Sequence, residues 1–273
     1  MSAAGFQLEG ERTPLRELIA DLWASRPLIA ILARKDFYVR YRRAAFGLTW
    51  AVGLPLLQAV IIAVVFSRVV HIHVGTSFAV FVLAGMVGWS YFSTTLATAA
   101  TSIVDGSTMS TRVYFPRAVL PLVQVVANLY GFAIAVVVLL VLAPLLGVGL
   151  GARTLLLLPA TVVLVVLTSG VCLVAAALHV YFRDVRYLVT AATLGWFYLT
   201  PVFYPRRLAS GVLGWVVDIN PLTGVVELFR AATGGADPHW AALVTVSLGW
   251  SVALVGLAAV LHTRYNRVFS DLL

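Results

Sequence analysis

The sequence predicts an all-α membrane protein with six transmembrane helices, an amphipathic interface helix ahead of them, and two short re-entrant helices between spans five and six. Three observations carry this. Of 273 residues, 61% are hydrophobic and only 11% are charged, whereas a soluble domain carries about 25% charged residues. Apolar runs recur near the length of about 20 residues that a spanning helix needs. A basic, aromatic segment, Lys35 to Arg43 (Lys-Asp-Phe-Tyr-Val-Arg-Tyr-Arg-Arg), abuts an apolar stretch that begins at Ala44. Arginine and lysine beside a span favour the cytoplasmic side, and tyrosines sit at headgroup level. This junction divides the chain into a cytoplasmic N-terminal segment, residues 1–43, and a transmembrane domain, residues 44–273.

Thr13-Pro14 reads as a helix start, with a hydroxyl N-cap and then proline at the first helical position. Leu15, Leu18, Ile19, Leu22 and Trp23 follow at helical spacing, with Arg16, Glu17 and Asp21 on the other face. This helix is too polar to span and belongs in the interface. Arg26-Pro27 breaks it, and a second helical piece, Leu28 to Tyr41, leads to the membrane. The six spans fall near Gly47–Val70, Phe78–Val104, Ala118–Leu146, Leu155–Tyr181, Leu188–Phe203 and Ala241–His262. The fifth is short and runs into Pro201 and Pro205. Between it and the sixth, Leu208 to Val217 is too apolar for a solvated connection. Asn220-Pro221 then reads as an N-cap and first helical residue. Two short helices follow from this, either dipping in at the mouth of a pore or anchoring the chain in the interface.

With six spans and the N-terminus inside, 14 basic residues fall on the inner segments and 5 (Arg68, Arg153, Arg206, Arg207 and Arg230) on the outer ones. That bias places both termini in the cytoplasm. The net charge of +8 and pI near 10.1 would point to nucleic acid in a soluble protein. Here no soluble domain is left to bind it, and the excess is the topology signal plus attraction to anionic lipid.

Several chemistries are excluded. A phosphate-binding loop needs Gly-x-x-x-x-Gly-Lys-Ser/Thr, but the only lysine, Lys35, follows Ala33-Arg34 with no glycine before it. The first four spans hold no ionisable interior residue, which argues against ion-coupled transport. His71 and His73 lack a third ligand, so no metal site is read there. Cys172 lies in an apolar span and has no partner cysteine. The first 40 residues, with Glu9, Glu11, Glu17 and Asp21, lack the isolated apolar core of a signal peptide. Hydroxyls and aromatics do occur in the spans. Trp89, Tyr91, Phe92 and Thr95 in the second, with Trp196 and Tyr198 in the fifth, either line a conduit for a sugar chain or serve helix packing and the interfacial aromatic belt.

Several local patterns then coincide. Ala33-Arg34-Lys35-Asp36-Phe37-Tyr38-Val39-Arg40-Tyr41-Arg42-Arg43, followed by Gly47-Leu48-Thr49-Trp50 and Pro55-Leu56-Leu57, resembles the start of type-2 ABC exporter permeases for polysaccharides such as O-antigen, teichoic acid and capsule. Phe115-Pro116-Arg117 with Leu120-Pro121 is similar to their loop after the second span, and Tyr181-Phe182-Arg183-Asp184-Val185 to their loop after the fourth. Pro201-Val202-Phe203-Tyr204-Pro205 and Asn220-Pro221-Leu222-Thr223 resemble their outer segment.

The resemblance implies a homodimer in the bacterial inner membrane, paired with two copies of a separate ATPase that holds ATP and Mg. This chain itself would carry no cofactor, no metal and no catalytic residue. A lipid-linked glycan would pass along the dimer interface, with membrane lipid around it. Arg34, Asp36, Arg40, Arg112, Phe115, Pro116, Arg117, Arg183 and Asp184 would meet the ATPase. Phe203, Tyr204, Trp215, Asn220, Glu227 and Arg230 would form an outer gate. A chain rich in Ala, Val, Gly and Arg fits GC-rich coding of an actinobacterial kind, where the glycan would be a galactan precursor of the mycobacterial type of cell wall. Two other readings stay open: a type-2 permease for drugs or small lipids, and a membrane-embedded glycan or lipid transferase. The transferase would need an acidic or histidine cluster at one membrane face.

Overall fold

A computed structural model describes residues 15–42, 47–65, 74–106 and 115–265. Thr13-Pro14, His71, His73 and Arg112 lie outside them. The described residues form helices and contain no strand. In chain order they are α1 (Leu15–Ala24), α2 (Arg26–Tyr41), α3 (Trp50–Val65), α4 (Phe78–Ala100), α5 (Ser102–Asp105), α6 (Val119–Leu145), α7 (Leu157–Tyr181), α8 (Val185–Leu199), α9 (Gly211–Ile219), α10 (Pro221–Thr233) and α11 (Trp240–Tyr265).

The N-terminal reading is close to what is observed. α1 ends at a turn on Ser25, and α2 starts with Pro27 in its first turn, where the missing N–H costs nothing. α1 buries Leu18 and leaves Leu15, Ile19 and Trp23 on an open apolar stripe.

Among the described residues, four helices, α4, α6, α7 and α11, are long and apolar enough to cross a membrane, or five if the bent pair α9 and α10 counts as one span. α3 has 16 residues, and the expected end of its span, residues 66–70, lies outside the described chain. α8 has 15 residues, a length of about 22 Å against a hydrocarbon core of about 30 Å. It stops because Thr200 leaves helical geometry ahead of Pro201, which excludes the residue before it from the helical region. The expected continuation to Phe203 is therefore replaced by a turn closed by Val202 N–H on Thr200 O at 2.7 Å.

α4 is the central helix. It packs on α3, α6, α7, α8 and α10, and residues Val80 to Trp89 form an unbroken buried run. α7 crosses α11 where Gly170 faces Leu254 and Val255; a β-carbon there would lie 2.9 Å from Leu254 Cβ. Small residues permit this approach because a membrane interior offers no hydrophobic drive to bring helices together. Two apolar cores result. The larger one joins α4, α6, α7 and α10. The smaller one gathers Ala33 of α2, Ile103 of α5, Phe115, Val119, Leu120 and Val123 at the start of α6, and Ala176, Ala177 and Val180 at the end of α7.

Candidate functional site

The region between α8 and α11 holds the densest polar chemistry of the described chain. α9 and α10 meet at an angle of 80° at Asn220, a bent pair with the geometry of a broken span or a re-entrant loop. Asn220 sets the corner. Its Oδ1 accepts from Leu222 N–H at 3.0 Å and from Trp196 Nε1–H at 2.9 Å. Its Nδ2 donates to Leu199 O at 3.2 Å and Thr200 Oγ1 at 2.9 Å. The local pattern Asn-Pro gives an N-cap followed by a first-turn proline; the three bonds to Trp196, Leu199 and Thr200 then fasten the cap to the end of α8. Thr223 donates to Val217 O at 2.6 Å, and Trp250 Nε1–H to Ile219 O at 2.9 Å, so α11 holds the corner from the other side.

α10 is buried from Leu222 through Thr233. The i,i+3 spacing lets Glu227 and Arg230 pair on one face of this helix while the opposite side packs on the spans. The pair does form, at 2.6 Å between Oε1 and Nη1, but both side chains are wholly buried. Their face is buried as well because α4, α7 and α11 and the turn at Ala152–Leu156 surround α10. Arg230 Nη2 donates to Val202 O at 2.8 Å, its Nε reaches Phe81 O at 3.5 Å, and its guanidinium carbon lies 3.5 Å from the centre of the Phe81 ring. The second oxygen of Glu227 accepts from Asp237 N–H at 2.7 Å. Beyond their bond to each other, both side chains thus find backbone partners, which burial of a charge requires. α10 ends at Gly234 in the left-handed region, φ 79°, with Gly235 N–H on Arg230 O at 3.0 Å.

The partner helix α9 differs. Val212 is 80% exposed and Trp215 63% exposed, and the helix is tethered near its end by Asp218, which accepts from Arg206 Nε at 2.7 Å and from Nη2. That contact raises the Arg206 pKa further above its already high ordinary value. Phe203 stacks edge-on with Tyr198 and Tyr204, and Tyr204 donates to Tyr198 O at 3.1 Å. All six residues assigned to the gate therefore lie in one region: Asn220, Glu227 and Arg230 as buried fasteners, Phe203 and Tyr204 in the preceding turn, and Trp215 on the open helix.

The aromatic and hydroxyl residues of α4 and α8 are divided. Trp89, Tyr91, Phe92 and Thr95 are buried within the subunit; Tyr91 donates to Val125 O at 3.1 Å, and Phe92 packs edge-on to Trp196. Tyr198 is open, on a face of α8 shared with Tyr187, Leu188 and Leu194.

A family model described as ABC-2 type transporter matches residues 27–233. The chain belongs to the ABC-2 type transporter family. The matched stretch runs from α2 through α10 and so takes in the bent pair of α9 and α10. Among curated proteins, the chain is 25% identical over 251 residues to an O-antigen export system permease protein RfbA of Klebsiella pneumoniae, covering 90% of this chain and 95% of the relative. It is 29% identical over 248 residues to a protein of the same description from Myxococcus xanthus, covering 87% and 94%.

In this ABC-2 chain, the described residues assigned to an ATPase contact lie on α2, ahead of α6 and between α7 and α8, away from the corner at Asn220. Arg34 and Lys35 are exposed on α2, and Arg183 and Asp184 are exposed between α7 and α8. Phe115 and Pro116 are buried in the smaller core, so they hold the shape of the loop rather than offer surface. Asp36 and Arg40 bind each other at 2.7 Å. Arg40 also reaches Gln124 and Asn128 of α6, two residues that the sequence pattern alone did not single out. The signal was present: they are the only amide side chains in α6 and lie four residues apart, on one face.

Proposed function

We propose that this chain is the membrane subunit of an ATP-driven exporter that carries a lipid-linked polysaccharide out of the cytoplasm. It acts as a homodimer in the bacterial inner membrane, with both termini cytoplasmic and with two copies of a separate ATPase supplying ATP and Mg. The observation that carries the reading is the near full-length likeness to O-antigen export permeases, which spans both the α2 end and the re-entrant end. The open face of α8 supports the homodimer: Tyr187, Leu188, Leu194 and Tyr198 form a surface that a second copy can cover, with Tyr198 at a shared conduit. A chain without a phosphate-binding loop supports ATP hydrolysis on a partner.

The test is reconstitution. Purified alone, the chain should hydrolyse no ATP. Co-expressed with the ATPase encoded beside it, it should form a complex with two copies of each chain, and a lipid-linked glycan supplied inside vesicles should become accessible outside only with ATP. A galactan precursor is the first glycan to try. ATP turnover by the chain alone, or export without a partner, would overturn the proposal.

A further inference from the structure

α2 is joined to the spans by apolar contacts, including Phe37 on Tyr130 of α6 with ring centres 5.0 Å apart, and by one polar network. At Ala33 it packs into the smaller apolar core beside Phe115, Ala127 and Ala177. Seven residues further on, roughly 10 Å along the helix, Arg40 makes a forked polar contact. Nη1 donates to Asn128 Oδ1 at 2.7 Å, and Nη2 donates to Gln124 Oε1 at 3.2 Å and Asp36 Oδ2 at 2.7 Å. The network continues inward, with Asn128 Nδ2 donating to Thr98 Oγ1 of α4 at 3.2 Å and to Gln124 O at 2.9 Å. Asn128 is buried, so its oxygen depends on this guanidinium for a partner.

We propose that Arg40 is a positioning residue that converts movement of α2 into movement of α6 and, through Asn128 and Thr98, of α4. The inference rests on the reading of this chain as a permease driven by a separate ATPase. Apolar packing is non-directional, so the contacts of Leu28, Ile29, Leu32, Ala33 and Phe37 hold α2 against the spans without fixing its register along them. A second, directional attachment some 10 Å away makes α2 a lever with fixed register. Arginine suits this role because its planar fork holds three acceptors at once, which a lysine ammonium on a flexible stem does not. Asp36 holds the fork from α2 itself, so the guanidinium is set before it meets α6.

The test uses the full chain in complex with its ATPase in lipid nanodiscs. A single spin label is placed either at Lys35→Cys on α2 or at Leu146→Cys just past the far end of α6, and the distance between the two copies is measured with and without a non-hydrolysed ATP analogue. In the parent, the analogue shifts both distances. In Asn128→Leu, the Lys35 distance still shifts, ATP hydrolysis continues, and the Leu146 shift is lost; in Arg40→Ala the Leu146 shift is lost as well, and Arg40→Lys restores part of it. A Leu146 shift that survives in both variants overturns the inference. So does loss of the ATPase from Arg40→Ala but not from Asn128→Leu, which would make Arg40 a docking contact. A parent chain that pairs with no ATPase and shows no distance between copies would instead bring down the permease reading, and this inference with it.

Discussion

Glu227 and Arg230 meet one helical turn apart as a wholly buried ion pair, 2.6 Å between Oε1 and Nη1, and together they reach three separate stretches of backbone at Phe81, Val202 and Asp237. One pair thus ties α10 to the start of α4, to the turn after α8 and to the connection into α11.

Breaking this pair from one side should cost far more than removing it. Arg230→Met leaves Glu227 charged and enclosed, a loss of about 3–5 kcal/mol. Pairing it with Glu227→Gln removes the stranded charge while an amide oxygen still accepts from Asp237 N–H. The double variant should therefore recover much of the lost thermal stability in detergent, read as the unfolding midpoint of the purified protein. Equal midpoints for single and double variants would mean that the pair's charge is not what holds α10.

Asn220→Ala should destabilise beyond an ordinary cap. The N-cap bond alone is worth about 1 kcal/mol, and three further bonds, to Trp196, Leu199 and Thr200, go with it. Each buried partner left unsatisfied adds about 1–3 kcal/mol. Hydrogen exchange should speed up at Leu222 and at the end of α8 together. Faster exchange at Leu222 alone would show that the corner is held by something other than this side chain.

How much of this region is legible from sequence follows from whether the signal is local. The Asn220 cap, the break near Pro201 and the pairing of Glu227 with Arg230 depend on residues within a few positions, and all three are observed. The burial of α10 depends on what surrounds it. Glu and Arg in a short helix give an amphipathic pattern whether their face meets solvent or the backbone of three other segments, and here it meets backbone. The short fifth span follows from proline chemistry at Pro201 and is legible as such; the apolar run through Val202 and Phe203 only moves its apparent end past Leu199. Arg40 shows the same limit in another form. Its charge and its place before a span are plain in the sequence, but its partners lie 84 and 88 positions away.

Gly224 should tolerate no side chain. A β-carbon there would overlap Leu243 O and lie 2.5 Å from Ser247 Oγ, and both belong to the helix that α10 crosses, so neither can swing away. Ser247 also donates to Pro221 O at 2.5 Å, which fixes the crossing. Gly224→Ala should therefore lower the yield of folded, monodisperse protein, whereas Gly249→Ala, with open space around it, should be neutral or gain up to about 1 kcal/mol from helix propensity. Similar size-exclusion profiles and midpoints for the two variants would refute so close a crossing.

The last expectation separates a gate from an anchor. α10 is enclosed and fastened by buried bonds, while α9 is largely open and hangs from Asn220 at one end, with Arg206 and Asp218 as its side tether. If the re-entrant pair seals one mouth of the conduit, α9 is the part able to swing. That tether is partly solvent-exposed, so its removal should cost little stability, about 0–1 kcal/mol. Arg206→Ala and Asp218→Asn should accordingly unfold near the parent temperature. Both should nonetheless release a small trapped dye faster than the parent from liposomes in the absence of ATP. A restored barrier in Arg206→Asp/Asp218→Arg, where the pair is reversed, would tie the leak to the tether. Release rates equal to the parent's in every variant would mean that α9 only anchors the chain in the membrane interface and that the mouth is closed elsewhere.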